Sequence, residues 1–145
     1  MTDAALRAPP VTEPFAFAVR VYYEDTDAGG VVYYANYLKF MERARSEWLA
    51  ALGLPLAELE RTHDATFVVH HVTIDFRRPA RLNDALQATV EVLDRGASRL
   101  VLRQAVRRAD DILTDATVKL ACVTRSGLRP RRMPEPLAAI LENLH

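Results

Sequence analysis

Cysteine is nearly absent. Cys122 stands alone, which excludes an intrachain disulfide and fits a reducing compartment. Net charge is absent as well: nineteen Lys and Arg balance nineteen Asp and Glu, so no excess points to nucleic acid or to an anionic membrane surface. No run is long and apolar enough to span a bilayer. The first residues carry Asp3 and then Pro9 and Pro10 without an apolar stretch, so they do not read as a signal peptide, and a cytoplasmic location is expected. The four histidines, His63, His70, His71 and His145, show no metal-ligand spacing. No metal and no redox cofactor is expected. The chain has no internal repeat, linker or low-complexity segment.

What is present is the balance of a globular protein. Half of the 145 residues are hydrophobic and 26% are charged, enough for one domain with one core. Residues 1–14, rich in Ala, Pro and Thr, read as a flexible arm, and residues 15–145 as a single domain. Phe15, Phe17, Val19, Val21 and Tyr23 alternate with Ala16, Ala18, Arg20 and Tyr22, the period of a strand with one buried face. Ala28, Gly29 and Gly30 break it as a turn. A long helix follows from Tyr34 or Ala35. Tyr37, Met41, Ala44 and Trp48 recur at helical spacing, and Gly53 and Pro55 end the pattern. On its outer face Glu42 is placed to meet Arg45, and Arg43 to meet Glu47. Leu56 to Arg61 adds a short helical turn.

Four strands are predicted after it: Ala65 to Phe76, Leu86 to Val92, Arg99 to Arg107 and Ile112 to Thr124, with hairpin turns at Asp94-Arg95-Gly96 and Ala109-Asp110-Asp111. His70 and His71, adjacent on a strand, are expected on opposite faces, one packed and one exposed. Cys122 falls on an apolar face. Pro136 to Leu144 reads as a terminal helix. One long helix and consecutive antiparallel strands make the fold class α+β, with the sheet wrapped around the helix.

The chemistry-bearing feature is a carboxylate turn. Glu24, Asp25 and Asp27 stand where the first strand gives way to the long helix. Taken alone, such a turn is ordinary cap chemistry. A calcium loop starting at Asp25 would need Glu at its twelfth position, where Asn36 stands. An aspartate-nucleophile phosphatase needs crossover helices that this chain lacks. A third reading explains more. A helix start offers unpaired N–H groups and a positive dipole end, which polarise a carbonyl and stabilise its oxyanion. A facing carboxylate then attacks the carbonyl carbon or activates a water. Thioesters suit this device, because a thiolate leaves without a strong general acid.

The stretch VRVYYEDTDAGGVVYYANYLKFMERARSEWL resembles the 4-hydroxybenzoyl-CoA thioesterase family, most closely its YbgC-type acyl-CoA thioesterases. A weaker likeness runs through FVVHHVTIDFRRPARLNDAL and the closing strands to PRRMP. The resemblance implies the hot-dog fold, a curled antiparallel sheet around a central helix, in homodimers joined through their sheets and paired further into a homotetramer. It implies an acyl-CoA substrate and no cofactor beyond the coenzyme A of the substrate. By the family's D-x-A/G-G motif the catalytic carboxylate is Asp27, with Asp25 supporting the turn. The backbone N–H of Tyr34 is implied to point at the thioester oxygen, and Asn36 to order that turn beside the substrate. Tyr34 stands where YbgC-type sequences commonly carry His. Basic clusters lie at Arg77-Arg78 with Arg81, at Arg95 with Ser98-Arg99, and at Arg129 with Arg131-Arg132. Arginine forks suit the phosphates of coenzyme A, and by resemblance Ser98 and Arg99 are the expected nucleotide contacts. The alternative from another class is a non-catalytic hot-dog module that binds acyl-CoA or acyl carrier protein.

Overall fold

A computed structural model describes residues 14–144. The arm expected over residues 1–14 falls, but for Pro14, outside the described residues. The elements are β1 (Phe15–Arg20), a single 3-10 turn (Tyr23–Asp25), α1 (Asn36–Ala51), α2 (Leu56–His63), β2 (Ala65–Phe76), β3 (Ala85–Arg95), β4 (Arg99–Arg108), β5 (Asp111–Thr124) and α3 (Glu135–Glu142). All strand pairs are antiparallel, and the five-stranded sheet has the order β1-β3-β4-β5-β2. The first two strands in sequence therefore form the two edges. Helix α1, which connects them, must cross the sheet from one edge toward the other. This is the hot-dog fold.

The core lies between α1 and the sheet. Tyr37, Phe40, Met41, Ala44, Trp48 and Leu49 of α1 are buried against Leu86, Ala88 and Val90 of β3, Leu100, Leu102 and Val106 of β4, and Val118 and Leu120 of β5. The stripe on α1 follows the helical spacing read from the sequence. One polar group crosses this interface. Gln104, fully buried in β4, donates to the Met41 carbonyl at 2.9 Å and accepts from Arg45 Nη1 at 2.9 Å. Arg45 is thus drawn inward, where burial lowers its pKa. Neither the Glu42–Arg45 pair nor the Arg43–Glu47 pair expected on the outer face forms among the described residues. Glu42 accepts instead from Ser46 Oγ at 3.3 Å.

Two further expectations are corrected. The alternation of the first strand was extended to Tyr23, but β1 stops at Arg20 and Tyr23 is 82% exposed. The chain leaves the sheet there because the Asp25 carboxylate captures the Tyr22 N–H and winds the 3-10 turn. In β2 a bulge lies between Val69 and His71, with His70 as the extra residue. The bulge switches the strand's parity. Phe67 and Val69 before it, and Val72 and Ile74 after it, thereby turn their apolar side chains toward the helix. Both His70 and His71 are exposed as a result, not one of the two.

Cys122 is buried, and burial pushes its thiol pKa up. Both predicted hairpin turns are present, between β3 and β4 and between β4 and β5. Among the described residues, no helix is long and apolar enough to cross a membrane.

Candidate active site

The site assembles at the end of the sheet where β1 exits and β2 finishes. Asp25 is 6% exposed, and its two carboxylate oxygens are both used. Oδ2 accepts the Tyr22 N–H and Oδ1 accepts the Asn36 side-chain amide, each at 2.9 Å. Its backbone carbonyl accepts the Tyr33 N–H at 3.0 Å. Asp25 therefore ties the 3-10 turn to the start of α1, and Asn36 is its buried counterpart.

Asp27 is placed differently. It is exposed, and its Oδ1 accepts the Gly29 N–H at 2.8 Å, an Asx turn. A Cβ at Gly29 would stand 3.3 Å from that oxygen, and Gly30 has φ +79°, a conformation that glycine adopts without strain. The Asp27 N–H donates to the Val31 carbonyl at 2.9 Å, and Thr26 bridges Val32. The two glycines thus let a tight hairpin close behind Asp27 while its carboxylate stays in solvent. The outer side of the hairpin is tied to the chain before β3. Val31 bridges Arg81, and the Val32 N–H donates to the Ala80 carbonyl at 2.9 Å.

Three residues past Val32, at the N-cap Ala35, the chain enters α1 without a side-chain cap. Alanine is a poor N-cap, so the orphan N–H groups of the helix start are left to other partners. Asn36, Tyr37 and Leu38 N–H groups turn back to the Tyr33, Tyr34 and Ala35 carbonyls. The Tyr34 and Ala35 N–H groups find no acceptor among the described residues. The Tyr34 ring is 63% exposed and meets Tyr33 at 5.0 Å and Phe76, edge-on, at 5.9 Å. A cavity of about 250 Å³ opens here, lined by Val32, Tyr34, Tyr37, Phe76, Arg77, Arg78 and Pro79.

The structure brings Asp27, Tyr34 and Asn36 to one end of the sheet, but not Ser98 and Arg99. Arg20 pairs with Ala85 at the site end, whereas Arg95 pairs with Leu100 at the far end. The eleven residues of β3 separate the two, a distance of roughly 30 Å. Arg99 is engaged by Asp94 at 2.7 Å, and the Ser98 carbonyl accepts the Cys122 N–H at 2.8 Å.

Sequence reasoning passed over two residues. The helical stripe accounts for the buried Tyr37 ring but not for its hydroxyl, which accepts the Ala80 N–H at 2.9 Å. Arg95 was grouped with its neighbours, yet its Nε is buried without a partner among the described residues.

A family model described as "Thioesterase superfamily" matches residues 29–114, starting two residues after Asp27. The chain is 42% identical over 130 residues to the acyl-CoA thioesterase YbgC of Haemophilus influenzae, covering 90% of this chain and 96% of that protein. It is 40% identical over 129 residues to the acyl-CoA thioester hydrolase YbgC of Escherichia coli, covering 88% and 96%. Among solved structures, a probable thioesterase from Bartonella henselae superposes with a TM-score of 0.80 at 35% identity, over 84% of this chain and all of that one.

Proposed function

This chain belongs to the thioesterase superfamily and is a thioester-hydrolysing enzyme; from that premise we propose that it hydrolyses an acyl-CoA with the Asp27 carboxylate as nucleophile or general base. The Tyr34 N–H is the oxyanion contact. One observation carries the reading. A carboxylate pinned through one oxygen and left in solvent sits on the hairpin that leads into a helix start without a side-chain cap, where the Tyr34 and Ala35 N–H groups just ahead of α1 are unspent among the described residues.

In this reading the thioester carbonyl lies with its oxygen toward the Tyr34 N–H. Asp27 either attacks the carbonyl carbon directly or takes a proton from a water that does. Negative charge builds on the oxygen and is met by the N–H and the positive end of α1. Collapse of the tetrahedral species breaks the carbon–sulfur bond and releases the thiolate of coenzyme A. In the first route water then opens the acyl–Asp27 anhydride, and both routes end in a carboxylic acid and free coenzyme A. No cofactor enters the reaction. Asp25 and Asn36 hold the frame, with Asn36 bordering the substrate through that frame.

The nucleotide contacts require a second copy. Strand β2 is an edge strand of twelve residues, with Val69 43% exposed and Phe76 48% exposed. A long uncovered edge invites pairing. Antiparallel pairing of β2 with the β2 of a partner sets the Phe76 end of one copy beside the Ala65 end of the other. That is the end where the partner's β3–β4 hairpin lies. Three inter-strand spacings, about 14 Å, then separate the site from that hairpin, against the roughly 30 Å within one chain. Ser98, Arg99 and Arg95 of the partner subunit are then the nucleotide contacts, Arg95 being favoured by its unspent Nε. The reading includes this homodimer and its further pairing into a tetramer, and a cytoplasmic location, where acyl-CoA is made and consumed.

A second reading, a non-catalytic module that binds acyl-CoA or acyl carrier protein, draws on Tyr34 in place of the more common His. A thiol-release screen across short, long and aromatic acyl-CoAs separates the two. Release supports the enzyme; binding without release of thiol from any acyl group supports the module. Mixing Asp27→Asn with Arg95→Ala protein tests the shared site. Mixed dimers regain one intact site, so activity above that of either variant is expected, and none is gained if each copy works alone.

A further inference from the structure

The cavity beside Tyr34 contains a polar group that its neighbours only half use. Tyr37 is 3% exposed, and its ring is held by Phe40 at 6.1 Å and Phe76 at 5.8 Å between centroids. Its hydroxyl oxygen accepts the Ala80 N–H at 2.9 Å. A phenol both accepts and donates. Among the described residues no acceptor takes the Tyr37 O–H. A buried donor left unspent is costly, and such a group calls for an explanation. The cavity supplies one, because Tyr37 lines it together with Tyr34. Tyr34 stands just ahead of the α1 N-cap and Tyr37 in the first turn of the helix, joined by the Tyr37 N–H, which donates to the Tyr34 carbonyl at 3.3 Å. The Ala80 N–H fixes the phenol oxygen and leaves the proton free to point elsewhere.

We propose that the Tyr37 hydroxyl is a second hydrogen-bond donor to the thioester carbonyl oxygen, completing with the Tyr34 N–H a two-donor oxyanion site. The inference rests on the thioester-hydrolase reading above, and it holds whichever route Asp27 takes. No proton is transferred in this role. The hydrogen bond strengthens as negative charge develops on the oxygen, and relaxes when the carbon–sulfur bond breaks and the carbonyl re-forms. Such contacts act on the transition state more than on bound substrate. Burial raises the Tyr37 pKa against the opposing effect of the Ala80 N–H, so the hydroxyl keeps its proton well into alkaline solution.

Tyr37→Phe keeps the ring and removes the donor. It also deprives the Ala80 N–H of its acceptor, so a lower melting temperature is expected under either role and decides nothing. The deciding readout is kcat against KM, measured well below the melting temperature on the full chain. A fall in kcat of about 100-fold with KM little changed supports the proposal; kcat close to wild type overturns it. A second variant carries 3,5-difluorotyrosine at position 37, which keeps the phenol and makes it more acidic. If the hydroxyl donates to the oxyanion, the alkaline limb of kcat moves to lower pH. If it only anchors Ala80, ionisation strengthens that anchor and the limb stays in place, which also overturns the proposal. Asp27→Asn is assayed in parallel. Full turnover there would sink the role of Asp27, while the Tyr37 result would still report on the oxyanion contact.

Discussion

Replacing Asp25 with alanine is expected to loosen the frame of the site, whereas the same change at Asp27 is expected to silence the site and leave the frame standing. Asp25 is 6% exposed, and its carboxylate accepts the Tyr22 N–H and the buried Asn36 amide. A hydrogen bond to a charged group contributes about 1.5–3 kcal/mol net. The Asn36 bond is buried and takes the upper part of that range. The Tyr22 bond lies next to a side chain that is 63% exposed, so water replaces much of it. The expected loss is about 3 kcal/mol, or roughly 10 °C in melting temperature for a domain of this size. Asp27 is exposed and holds one local N–H, that of Gly29, so its loss is below about 1 kcal/mol. Urea unfolding at one fixed protein concentration measures both, since association adds to apparent stability. Thiol release is read on the same samples. Asp25→Ala should unfold early, and Asp27→Ala should unfold near the wild-type midpoint without turnover. A wild-type midpoint for Asp25→Ala, or an equal loss in both variants, would refute the division of labour between the two carboxylates.

Two other predictions concern the support around the site. Burial works to raise the Asp84 carboxyl, but the Arg81 N–H and the Arg108 guanidinium at 2.7 Å outweigh it and hold the carboxyl below its ordinary value. The stability it contributes is present above the unfolded-state value of about 4 and is lost as pH falls through the depressed folded-state value. Urea midpoints should therefore fall more steeply in acid for the wild type than for Asp84→Asn, and parallel acid limbs would contradict this. The Thr114 hydroxyl is fully buried without a partner among the described residues. Thr114→Val removes an unsatisfied group at constant shape, so a gain of about 1 kcal/mol is expected in thermal melts, and a loss of that size would show the hydroxyl to be bonded.

Much of the fold was legible because its signals are local. The α1 stripe, its Gly53 and Pro55 stop and the two hairpin turns depend on spacing within one element. The parity switch at His70 was not, since a bulge is set by pairing with β5 rather than by β2 alone. Arg45 looked like half of a surface ion pair, and only the tertiary placement of Gln104 turns it inward. The carboxylate turn was visible, and resemblance to the D-x-A/G-G motif already set Asp27 apart from Asp25; what the sequence does not carry is the partner of each oxygen. Asp25 spends both oxygens on the frame, and Asp27 spends one on its own turn. Ser98 and Arg99 lay closest to legibility and furthest from the site. Their chemistry was readable from residue type, but their distance from Asp27 follows from strand order, which periodicity does not encode.

The central claim is that the Asp27 carboxylate performs the attack or the proton abstraction. Single-turnover thiol release by Asp27→Asn tests it most directly. The amide keeps the shape of the side chain and an oxygen for the Gly29 N–H, but it has no charge with which to attack or take a proton. A fall of at least about 100-fold against every acyl-CoA that the wild type turns over is predicted, with melting behaviour unchanged. Release within about twofold of the wild-type rate would contradict the claim.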